Sequence, residues 1–111
     1  MNFCEFTAGE HTYKLCLNTK HIVALERRMG KNPLNLIISE TIPKFEDLIT
    51  ILHEAMQQYN HSISMDDMYQ IVDTYLANGH DFGNMIMLVK EVYESAGLIE
   101  SDTKEENEKN A

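Results

Sequence analysis

Phe3-Cys4-Glu5-Phe6-Thr7-Ala8-Gly9-Glu10-His11-Thr12-Tyr13-Lys14-Leu15-Cys16-Leu17 has the pattern of a β-hairpin at the head of an otherwise helical chain. Two runs of alternating character flank Gly9-Glu10, with Cys4 and Phe6 on the first and Tyr13, Leu15 and Leu17 on the second. A period of two is the mark of paired strands. Gly9 can take the positive φ of a type II′ turn. With Gly9 and Glu10 as the loop, Phe6 faces Tyr13 and Cys4 faces Leu15, so the apolar partners gather on one side. Cys16 then points to the other side. A one-residue slip would bring Cys4 opposite Cys16, but in this register the two cysteines stay apart as free thiols.

Past this hairpin, expected over residues 2–18, the apolar spacing becomes helical. Thr19 is a plausible N-cap for a helix carrying Ile22, Leu25 and Met29, and Gly30 supplies its stop. Pro33 suits the first turn of a short helix reaching Glu40, with Leu34, Ile37 and Ile38 as its stripe. Pro43 closes that segment. From Lys44 to Tyr59 the spacing of Phe45, Leu48, Ile49, Leu52 and Met56 predicts a long amphipathic helix, widened by Ile51 and Ala55. Ser64 and Asp67 form a capping-box pattern ahead of Met68, Ile71, Val72, Tyr75 and Leu76, and Gly79 ends that helix. Asp81 can cap a last helix whose inner face reads Phe82, Met85, Ile86, Val89, Val92, Tyr93 and Ala96 before Gly97. Met87 and Leu88 fall outside this face.

The expected architecture is therefore α+β and mostly α: an N-terminal β-hairpin followed by four to five helices in a compact bundle. A single globular domain is expected over residues 1–98 (helical part 19–97), since 111 residues leave room for one core. From Glu100 to Ala111 stand five acids, two bases and no large apolar residue. Such a segment buries too little surface to offset its ordering entropy, so residues 99–111 are expected to form a disordered acidic tail.

The formal net charge of −9 argues against a nucleic-acid partner, because phosphate binding draws on clustered Lys and Arg. The charge is also lopsided. Between Lys20 and Lys31 four bases stand against Glu26 alone, whereas Asn32 to Ile99 hold ten acids and two bases. No run of about 18 apolar residues and no basic-then-apolar leader occurs, so neither a membrane span nor a signal peptide is expected, and a cytoplasmic location follows.

No pattern of residues points to catalysis, a cofactor or a metal. Asp81-Phe82-Gly83 matches a kinase magnesium triplet, but the chain lacks a phosphate-covering loop and the necessary length, and the Asp and Gly serve as helix punctuation. His11, His21, His53, His61 and His80 are scattered over different elements, which suits surface positions better than a metal site. No Ser or Cys stands beside an evident base, and the acids read as solvated helix faces, caps and tail. An enzyme is not expected.

Protein binding is the class that remains. Arg27, Arg28 and Lys31 form the only basic cluster, which could meet an acidic partner, although cations in a helix's last turn are explained equally by the helix dipole. Methionine concentrates in the C-terminal half, and it is the side chain that adapts best to irregular surfaces. Core filling is the simpler account of these methionines. The last helix points further, since Met87 and Leu88 nearly complete an apolar ring around it. The candidate partner-binding residues are accordingly Met65, Met68, Met85, Met87, Leu88, Tyr93, Arg27 and Arg28.

The order of these elements resembles the small tail assembly chaperones of long-tailed bacteriophages and related prophages. The resemblance rests on the hairpin Phe3 to Leu17, on Thr19, Ile22, Leu25-Glu26, Met29-Gly30-Lys31 and Pro33-Leu34, and on the helical remainder, covering residues 2–97. It implies a factor in the bacterial host cell that binds the tape measure protein, a long helical chain with apolar faces. Such a factor keeps that chain soluble while the tail tube assembles, and a frameshifted longer form would recruit tail tube protein. The alternative from charge is a small acidic adaptor or an anti-repressor that imitates nucleic acid. Self-association into a homo-oligomer is compatible with either.

Overall fold

A computed structural model describes residues 2–39 and 41–100. Strands β1 (Cys4–Ala8) and β2 (His11–Leu15) pair antiparallel, with Cys4 opposite Leu15 and Phe6 opposite Tyr13. Gly9 alone in the loop has positive φ, at 65°, the type II′ pattern in which the first central residue is left-handed. Both cysteines are free.

Helix α1 (Thr19–Met29) is capped by Asn18, whose side chain accepts from the His21 amide; the cap lies one residue before the expected Thr19. Both residue types are favoured at an N-cap, Asn more strongly than Thr. Gly30, at φ 66°, ends the helix as expected. Helix α2 covers only Asn35–Ile38, shorter than the Pro33–Glu40 segment expected. Ser39 leaves the helix in an extended conformation, and Pro43 disfavours helical backbone just upstream. Ile38, expected on an inward stripe, is 68% exposed. Glu40 lies outside the described residues.

Helix α3 (Phe45–Met56) is the central element, burying Leu48, Ile49, Ile51, Leu52, Ala55 and Met56. It stops at Met56, and the residues up to Tyr59 form turns. Helix α4 (Met65–Ala77) opens on the expected capping box, in which Ser64 and Asp67 satisfy one another's amides at 3.0 Å. Helix α5 (Phe82–Ser95) opens on a second box, made by Asp81 and Asn84. It closes by a Schellman arrangement: the Leu98 amide donates to the Tyr93 carbonyl at 2.9 Å and the Gly97 amide to Glu94 at 3.0 Å.

The hairpin packs against the helices through one face, with β2 on α3 and β1 on α4 and α5. Phe6, Leu15 and Leu17 join α1's Leu25 and the inner faces of α3, α4 and α5 in one core. Cys16 is buried as well, and its amide donates to the Ala55 carbonyl at 2.8 Å, fastening the strand end to α3. Of the expected tail, residues 101–111 lie outside the described residues. Leu98 and Ile99 pack against the core, so packing reaches one residue past the boundary expected at 98. No helix among the described residues is long and apolar enough to cross a membrane.

Candidate partner-binding surfaces

The helix stripes place the eight sequence-predicted residues very differently. Met68, Met85 and Tyr93 have no exposed surface, and Leu88 is also buried. The first three are core residues and cannot touch a partner of the folded protein, whereas Leu88 keeps 7% of its surface open at the groove described below. Most of Leu88 is covered because β1 packs on the flank of α5 that looked unpartnered, so the apolar ring is mostly internal. Met65 is half-buried, and its sulfur accepts from Arg28 at 3.5 Å. Only Met87, 53% exposed, is an open methionine on α5.

The basic cluster is largely spoken for. Arg28 meets Glu54 at 3.0 Å, and Lys31 meets Asp47 at 2.7 Å. His21 contacts the other Glu54 oxygen at 2.6 Å through Nδ1. Asp47 and Glu54 are seven residues apart, one face of α3, and they meet α1 in antiparallel order. Arg27 stays exposed beside them. Among the described residues Glu54 is the one charged residue buried in the core. Sequence alone treats it as a solvated acid, although its i, i+7 relation to Asp47 beside a run of cations was a legible signal. Both its oxygens are engaged, one by Arg28 and one by the His21 ring, which suits a structural tie. His53 belongs to the same seam, with Nε2 donating to the Ile63 carbonyl at 2.9 Å and Nδ1 accepting from Arg28 at 3.0 Å. Two histidines expected at the surface are thus built into the α1–α3 seam. Among the described residues no group of His, Cys, Asp and Glu could hold a metal ion.

Two of the open surfaces among the described residues bear on partner binding. The first is an apolar corner at the junction of α2 and α3. Ile38 and Ile42 are 68% and 82% exposed, and Phe45, also exposed, stacks on Phe82 with ring centroids 6.0 Å apart. An isolated exposed leucine or isoleucine is ordinary, but several large ones within eight residues of chain are not. Pro43 produces this corner, since the extended link it imposes holds Ile42 away from the core.

The second is a groove of about 500 Å³ between β1 and α5, floored by Phe6, Tyr75 and Leu88 and rimmed by Glu5, His80, Met87 and Glu91. His80 stacks flat on Tyr75 at 4.0 Å and donates through Nδ1 to the Tyr75 carbonyl at 3.1 Å. Phe6 meets Tyr75 edge-on at 5.0 Å. Burial and the nearby Glu91 and Asp81 carboxylates push the Tyr75 hydroxyl's pKa upward. Burial, then Glu91, raises the Cys4 thiol to about 11. Glu91 therefore projects a negative field over this side of the hairpin.

Comparison with protein-family models, curated proteins and solved structures finds no match for this chain.

Proposed function

We propose that the protein is a non-catalytic binding factor that shields an apolar helical client, in the manner of the tail assembly chaperones its sequence resembles. The client on that reading is the tape measure protein in the bacterial host cytoplasm, held soluble until tail tube protein assembles around it. The observation that carries the reading is the apolar corner of Ile38, Ile42 and Phe45. It offers a helix the i, i+3, i+4 kind of contact that helix-in-groove recognition uses. The buried methionines are no part of this surface.

Ile38→Asp and Ile42→Asp test the proposal, because both side chains are exposed and the fold does not depend on them. Co-elution of the purified protein with fragments of a tape measure protein is the measurement. The double variant should fold normally and lose the complex. Retained binding by the folded variant would reject this surface.

A further inference from the structure

The geometry points to the outer edge of β1 as a strand-addition site for an extended, cationic polypeptide segment. In a two-residue hairpin the pair flanking the loop exchanges hydrogen bonds, and bonded pairs alternate along the ladder. Ala8–His11, Phe6–Tyr13 and Cys4–Leu15 are therefore the bonded pairs, and Glu5, Thr7, Thr12 and Lys14 turn their amides and carbonyls outward. On β2 this outward row is engaged at Lys14 and Cys16. Asn60 donates to the Lys14 carbonyl at 3.4 Å, and the Cys16 amide, next in the same row, donates to Ala55.

On β1 the row is open. Glu5 and Thr7 are exposed, and among the described residues no protein group meets their outward amides or carbonyls. Folded proteins ordinarily blunt or cover such an edge. Here the edge lies along the groove whose far wall is the α5 stripe Asn84, Met87, Leu88 and Glu91. A strand about 4.8 Å from β1 would enter that groove, hydrogen-bonding to Glu5 and Thr7 and laying alternate side chains over Leu88 and Met87.

Charge selects the occupant. The groove is lined by Glu5 and Glu91 and by no lysine or arginine. Glu91 perturbs both Cys4 and Tyr75, so its field reaches across the groove. Lys14 stands opposite Glu5 in the ladder, but its ammonium lies 4.9 Å over Phe3 and 5.4 Å over Tyr59, away from the groove. Lysine or arginine side chains on the incoming strand would meet Glu91 on one face and Glu5 on the other. A second copy of this chain, with its net charge of −9, would bring acid against acid. The site is separate from the apolar corner, and its partner differs in conformation and charge from a helical client.

The test is amide hydrogen exchange by NMR on the intact protein with three short synthetic peptides. One alternates lysine with valine and threonine, the second has glutamate for lysine, and the third is the lysine peptide N-methylated along its pairing edge. The lysine peptide should protect the Glu5 and Thr7 amides. N-methylation, or Glu91→Lys in the protein, should weaken binding about tenfold or more. Equal affinity for the N-methylated peptide would mean charge attraction alone, and equal affinity for the glutamate peptide would remove the charge selection. Either result overturns the proposal, as does binding of none of the peptides or a sedimentation result showing the edge closed by a second copy.

Discussion

The Tyr93 hydroxyl donates to the Pro33 carbonyl across 2.9 Å, joining the last helix to the loop after the first over 60 residues of chain. The ring has no exposed surface, so this bond is made where water cannot replace it. Tyr93→Phe leaves the Pro33 carbonyl without this buried donor and should destabilise the protein by about 1–3 kcal/mol, read by urea denaturation.

The same burial, with Asp47 nearby, pushes the Tyr93 pKa upward. For a group whose folded pKa is raised, the stabilisation is full below the unfolded value and is lost as pH rises toward the folded one. Stability should therefore fall from about pH 10 upward, and the fall should be shallower in Tyr93→Phe. The Cys4 thiol, raised to about 11, adds a loss of the same sign that begins lower, above its ordinary value of 9.0. Denaturation midpoints between pH 8 and pH 11 would show both.

The two α1–α3 ion pairs should behave unequally. Glu54 is buried between His21 and Arg28, so Glu54→Ala leaves the Arg28 guanidinium without its buried carboxylate and should cost about 3 kcal/mol. Lys31 is 44% exposed, and Lys31→Ala should cost less than about 1 kcal/mol. A double-mutant cycle on Arg28 and Glu54 isolates their coupling.

Met85 and Met87 stand two residues apart with opposite fates. Met85→Ala should cost about 2–5 kcal/mol, whereas Met87→Ala should stay within about 0.5 kcal/mol. Thermal or urea unfolding of the two variants checks this directly. Near-equal values would mean that α5 is rotated from the orientation described.

Much of this architecture was legible because it is local. The hairpin register follows from a glycine and the alternation around it, and Gly30, Ser64-Asp67, Asp81 and Gly97 mark helix ends by hydrogen bonds made within a few residues. What escaped the sequence depends on elements far apart in the chain. Periodicity puts Met85 and Tyr93 on a stripe, but how far the cover extends to Leu88 is set by β1, more than 70 residues upstream. Glu54 reads as solvated until His21 and Arg28 are brought to it. Ile42 precedes Pro43, whose effect is on backbone direction and leaves the apolar pattern unchanged. The open row on β1 was within reach of the sequence: once a two-residue loop is accepted, Glu5 and Thr7 must face outward.

If the domain holds an apolar client chain as proposed, co-expression with a tape measure protein is the decisive test, measured as the fraction of that protein in the soluble supernatant. The client should be soluble when the wild-type domain is present and largely insoluble when the domain is absent or carries Ile38→Asp with Ile42→Asp. A soluble fraction that is the same with and without the domain would contradict the proposal.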